Sequence, residues 1–199
     1  MNKEPHLEVS EVFVALFKER VVRLKDEKVV SLRPIHVYEA EALLKAIYEI
    51  SLTSDYILTT PAVFKTITVE QEEKWIERYN VNPRAVLIGA DHNGQLVGLL
   101  DFATYKDEKR RHRGVLGISI NHDFRGKGLG QELFKFLFAL VKQDAELESI
   151  ELAVMSTNVS AIELYKKMGF VELCRLQKAF IYKGVVSDEI TMRISKTQI

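Results

Sequence analysis

Residues 121–138 read NHDFRGKGLGQELFKFLF, and their interpretation decides the fold. Gly126, Gly128 and Gly130 alternate with other residues just ahead of a run whose bulky apolar side chains recur at helical spacing. A glycine-rich turn therefore delivers the chain into an amphipathic helix. The first turn of a helix leaves four backbone N–H groups without partners and carries the positive end of the helix dipole. Glycines let those groups approach a ligand with no side chain between, so the turn is suited to a phosphate. Arg125 and Lys127 can add charge-assisted contacts. The plainer alternative is a tight turn packed beneath the helix, with both cations solvated. Spacing excludes two other nucleotide patterns. The glycines run G-x-G-x-G rather than G-x-G-x-x-G, and the Gly-Lys-Ser/Thr ending of a P-loop is missing.

Around this turn, strands and helices follow one another without repeats. GVLGISI (114–120) reads as a strand entering the turn. Before it, AVLIGAD and QLVGLLDFATY flank Asn93-Gly94, the strongest short hairpin signal. KVVSLRPI (28–35) is a further strand, ended by Pro34. Val37, Ala40, Leu43, Leu44, Ile47 and Ile50 predict a helix over 37–51. Thr68 and Gln71 form a capping-box pattern opening another helix, with Trp75, Ile76 and Tyr79 on one face. After the glycine helix come a strand at IELAVM (150–155), a helix from Val159 to Met168, and closing strands near FVELCRLQKAF and DEITMRIS. Ahead of all this, Val9, Val12, Phe13, Leu16, Phe17 and Leu24 predict an opening helix over 9–24. Residues 1–27 are thus expected to be a helical extension, and 28–199 one mixed α/β domain.

A chain of 199 residues can bury one sizeable core. Lys+Arg 28 against Asp+Glu 28 leaves no basic excess, which argues against a nucleic-acid partner. The single cysteine, Cys174, excludes an internal disulfide and cannot by itself build a metal cluster, so no metal is expected. No apolar run reaches the length of a membrane span, and the first residues lack a signal-peptide core. The expectation is a cytoplasmic protein with no membrane partner.

Two segments together carry a family resemblance. ISINHDFRGKGLG (118–130), followed by NVSAIELYKKMGF (158–170), resembles the GCN5-related N-acetyltransferase (GNAT) family. Its Arg/Gln-x-x-Gly-x-Gly/Ala signature after the fourth strand is matched by Arg125, Gly128 and Gly130. Its second signature is matched by Asn158, Tyr165, Gly169 and Phe170. The resemblance spans about residues 28 to 195. It implies an α/β (α+β) fold with a mainly antiparallel central sheet, flanked by helices and splayed between strands four and five. It also implies that acetyl coenzyme A lies across the splay. The pyrophosphate would rest on Gly126, Lys127, Gly128, Leu129, Gly130 and Gln131, with Arg125 beside them. The pantetheine arm would pair with Ile118, Ser119 and Ile120, and the Asn158 amide would hold it. One strand N–H would stabilise the oxyanion.

The second partner would be an amine acceptor. Asn158 and Tyr165 are seven residues apart and share a helix face. A phenol with a reference pKa of about 10 is protonated at neutral pH, so Tyr165 can serve as general acid to the leaving thiolate. Its alternative role is packing, and that of Asn158 is a helix N-cap. Some family members carry a base on strand five, where this chain has Ala153. Glu151, Asp101 or a water are the remaining candidates. His112 and His122 flank the fourth strand, and Glu70, Glu72 and Glu73 suit a first helical turn. The segment SLTSDYILTTPAVF (51–64) falls where the family shapes its acceptor pocket. The opening segment could cover a sheet edge, cap that pocket, or contact a second copy in a homodimer. The other reading is a non-catalytic acyl-CoA-binding module of the same fold. A flavodoxin-like nucleotide binder is disfavoured by the hairpin at Asn93-Gly94.

Overall fold

The computed structural model describes residues 17–199. Most of the predicted opening helix lies outside them, and its last part is corrected. Arg20–Arg23 is a strand, β1, paired antiparallel with β2 (Val29–Pro34). Val21 and Val22 are β-branched and suit a strand. Alternation puts Val22 in the core and leaves Val21 64% exposed. The turn between the strands closes with Glu27 in the left-handed region, φ 67°. The helical spacing of Phe17 and Leu24 is accidental; Phe17 instead packs edge-on against Phe136 at 5.2 Å.

The rest follows in the expected order. Helix α1 (Ala40–Leu52), a short α2 (Pro61–Phe64) and α3 (Val69–Asn80) precede the hairpin of β3 (Ala85–His92) and β4 (Gln95–Thr104). Thr68 and Gln71 form the reciprocal capping box of α3. Asn93 and Gly94 make the hairpin turn with φ 55° and 80°. Then come β5 (Arg113–Ile120), α4 (Leu129–Val141), β6 (Ser149–Met155) and α5 (Val159–Lys167). Strands β7 (Val171–Tyr182) and β8 (Val185–Ser195) close the chain. Because β1 joins the sheet, the predicted fourth and fifth strands are β5 and β6.

All eight strands form one sheet in the order β1-β2-β3-β4-β5-β6-β8-β7. Alternation sends one set of side chains under α4 and α5, where Phe102, Phe134, Leu137, Leu152 and Phe170 form the larger core. The other face is covered by α1 and α3 over Ile35, Leu43, Ile76, Leu87 and Leu99. No helix among the described residues is long and apolar enough to cross a membrane.

One contact differs from the rest. Among the described residues only β5 and β6 run parallel as neighbours, and they pair over three positions, from Arg113↔Ser149 to Val115↔Glu151, before parting. At the last pair the Glu151 carboxylate accepts from Arg113 of β5 (2.9 and 2.6 Å) and from Arg193 of β8 (2.8 Å). This side chain is 5% exposed and ties three strands together where the sheet opens. Burial alone would raise the Glu151 pKa, but the hydrogen bonds from Arg113 and Arg193 outweigh it and hold it below the ordinary value.

Replacing Glu151 by Ala leaves two arginines without their partner. The expected cost is about 2–3 kcal/mol, below that of a wholly buried pair because both guanidiniums reach water. Since the folded pKa is depressed, this stabilisation is present above the unfolded carboxyl pKa and is lost as pH falls through the folded one. Urea unfolding of both proteins at pH 7 and pH 3 should show the gap narrowing in acid.

Candidate active site

The parting of β5 and β6 opens a cavity of about 750 Å³ that reaches from the glycine loop to the loop after α1. Beyond Val115, the edge of β5 facing β6 has no strand beside it, and Ile118, Ser119 and Ile120 line the wall. The facing wall is β6, through Leu152 to Met155.

At one end lies the glycine turn. Gly128 is the N-cap of α4, with φ 96°, a conformation other residues adopt only under strain. No N–H from Gly126 to Gln131 donates a hydrogen bond to another described residue. These are the donors a phosphate needs. A Cβ on Gly130 would lie 2.7 Å from Leu164 Cδ2 of α5, so a larger residue there would push that side chain aside.

The two cations have other duties than the sequence suggested. Arg125 borders the cavity, but its guanidinium donates to the carbonyls of Ile120 (2.8 Å) and Thr53 (3.1 Å). It staples the end of β5 to the C-terminus of α1, where a cation is favoured. Burial lowers its pKa. Lys127 does not line the cavity; it pairs with Asp26 at 2.8 Å, while its carbonyl accepts from Lys25 N–H at 3.0 Å. Leu129 is fully buried in the larger core and contributes only backbone here. Gln131 does line the cavity.

Asn158 is the N-cap of α5, its Oδ1 accepting from Ala161 N–H at 3.3 Å, and it also borders the cavity. Tyr165, two turns on, lies edge-on to Phe134 at 5.8 Å and also reaches the cavity. Its hydroxyl has no hydrogen-bond partner among the described residues, and burial pushes its pKa up to about 12.

The candidate bases separate cleanly. Glu151 is locked between two arginines and lies outside the cavity. His112 and His122 lie outside it too, as do Glu70, Glu72 and Glu73. Asp101 lines it from β4 and accepts from the Tyr79 hydroxyl at 3.0 Å. Burial raises its pKa, partly offset by that hydrogen bond. Its cross-strand neighbour is Gly117, where any Cβ would sit 2.6 Å from Asp101 Oδ1. A side chain at position 117 would therefore displace this carboxylate. Helical spacing marked Tyr79 only as a packing residue on its helix face and did not single out Gly117. Register alone, once β4 and β5 are paired, would have found Gly117.

Ser54 and Tyr56 to Thr59, within SLTSDYILTTPAVF, also line the cavity. This loop is clasped to the far side of the opening. Tyr56 Oη donates to the Thr157 carbonyl at 3.1 Å, and Asp55 pairs with Lys183 of the β7–β8 turn at 2.7 Å.

An acetyltransferase (GNAT) family model matches residues 44–170. The chain belongs to this family, whose acetyl donor is acetyl coenzyme A. Among curated relatives, the L-amino acid N-acetyltransferase AaaT of Escherichia coli is 27% identical over 99 residues, covering 50% of this chain and 61% of that protein. The chain thus spans about three-fifths of that relative. Among solved structures, a GNAT-family acetyltransferase from Streptococcus pneumoniae superposes with a TM-score of 0.78 at 22% identity, covering 83% of this chain and 98% of that one. The structure of yncA from Salmonella typhimurium with its cofactor acetyl-CoA gives 0.72 at 17% identity, covering 84% and 94%. The mixed, mostly antiparallel sheet with flanking helices is the fold of these structures.

Asp101 makes a stability prediction of its own. A carboxyl whose folded pKa is raised stabilises the fold below its unfolded pKa, and this contribution is lost as pH rises through the folded value. At neutral pH the charged form is therefore a burden. Asp101→Asn, which can still accept from Tyr79, should raise the melting temperature at pH 7 and lose that advantage near pH 4. Thermal melts at the two pH values check this.

Proposed function

We propose that the chain is an acetyl-CoA-dependent N-acetyltransferase acting on a primary amine. The observation that carries this reading is a single cavity between parted strands. It joins a turn rich in N–H donors to two groups of opposite duty, the Tyr165 phenol and the Asp101 carboxylate.

The glycine turn holds the donor's pyrophosphate through backbone N–H groups and the α4 dipole rather than through Arg125 or Lys127. The exposed edge of β5 at Ile118 to Ile120 accepts the peptide-like arm as a further strand, and Asn158 faces the same arm. The donor supplies an activated acetyl group. Asp101, its basicity raised by burial, takes a proton from the acceptor ammonium directly or through a water. Strand N–H groups of β5 stabilise the oxyanion as nitrogen adds to the acetyl carbon. Tyr165 then acts as the C–S bond breaks. A thiol has a reference pKa of about 8.5, well below this phenol, so transfer is not driven by acidity alone. The hydroxyl binds the developing thiolate, and its proton passes over as the added nitrogen gives up its own. The ammonium thus loses two protons, one by way of Asp101 to solvent and one to sulfur.

Titration calorimetry with acetyl-CoA, with dephospho-CoA and a dinucleotide as controls, tests the reading. Micromolar binding selective for acetyl-CoA is expected; no binding would leave the glycines as a turn. Gly128→Glu should abolish that binding while circular dichroism stays native, because it sets an anion against the phosphate and strains φ. Tyr165→Phe should lower kcat about 100-fold with acetyl-CoA affinity kept within about twofold. Unchanged turnover would make Tyr165 a packing residue.

A further inference from the structure

The acceptor end of the cavity holds a second carboxylate that the chemistry above does not use. Glu189 of β8 lines it and has no ion pair or hydrogen bond among the described residues. Lys167 of α5 also lines the cavity, from the opposite sheet face, and the other nearby cations are committed elsewhere. Lys183 pairs with Asp55, Arg193 and Arg113 are bound to Glu151, and Arg125 is stapled to Ile120 and Thr53. Between Asp101 and Glu189 the cavity surface is largely uncharged, with Ala153 and Met155 of β6, and Ile57, Leu58 and Phe180 bordering it.

Strand register places the two carboxylates. Asp101 faces Gly117, and Glu189 faces Met155, so both project from the sheet face that carries Ala153 and Glu151. Three strand spacings of about 4.8 Å, a two-residue offset of about 7 Å along the strands, and the divergence of β5 and β6 separate their backbones. Less the reach of the side chains, the span between carboxylates is on the order of 10 Å. An unpaired carboxylate at that distance favours a distant cation and repels a distant carboxylate.

We infer that Glu189 is a specificity-determining residue, selecting acceptors that carry a second ammonium at the far end of an apolar spacer, and disfavouring amino acids. The inference rests on the acetyl-transfer reading, which assigns the Asp101 end to the reacting amine. In this arrangement one ammonium meets Asp101, the methylenes lie along Ala153, Met155 and Phe180, and the other ammonium meets Glu189.

Three ligands of equal length isolate the distal group: 1,8-diaminooctane, octylamine and 8-aminooctanoate. Each is titrated calorimetrically into the full chain, with and without saturating coenzyme A. Wild type should bind the diamine at least tenfold more tightly than octylamine, and the amino acid most weakly. Glu189→Gln, nearly isosteric and bordering open space, should bring the diamine and octylamine within about twofold. Glu189→Lys should reverse the order in favour of 8-aminooctanoate. Equal affinities in wild type, or a diamine preference that survives both substitutions, would overturn the inference. Failure of coenzyme A to bind would refute the acetyl-transfer reading instead, because the titrations without it read the acceptor end alone.

Discussion

The structure depends on how little β5 and β6 pair. Parallel strands side by side would normally share a full ladder of hydrogen bonds, and a buried backbone group left without a partner is costly. Here the ladder stops after three positions, and Glu151 with Arg113 and Arg193 fixes the stopping point. The cavity lies just beyond. The open edge of β5 needs something to pair with, and the divergence creates the cavity that α4 and α5 border from one sheet face and Asp101 from the other. The Glu151 cluster therefore belongs to the architecture of the site even though it touches none of the cavity.

Much of this was legible in the sequence because local chemistry and tertiary use agreed. The Asn93-Gly94 turn, the Thr68–Gln71 capping box and the glycine helix all signal structure within a few residues, and each forms as read. The two signature segments led to the right family and fold. The opening helix failed for the opposite reason. Its last residues, Arg20–Arg23, form a strand because β2 lies beside them, a partner that periodicity within one segment cannot register.

The site was legible in its backbone and less so in its charges. The glycines and Asn158 border the cavity, but Arg125 and Lys127 are drawn to acceptors distant in sequence, Thr53 and Asp26. The same long-range logic separates Glu151 from Asp101. Both are acids on strands, and only the register of three strands shows one neutralised by arginines and the other held against Tyr79 beside a glycine. A sequence states which charges exist; the fold decides which are already paired.

The β1–β2 turn has a bearing on affinity. Lys25 and Asp26 grip the backbone and side chain of Lys127, in the middle of a loop otherwise built from the residue with the greatest conformational freedom. Because that grip is part of the folded sheet, the disorder of the glycines is removed when the protein folds, not when a ligand arrives. In the proposed reading, the donor would meet a loop that is already ordered, and the binding step need not supply the ordering free energy.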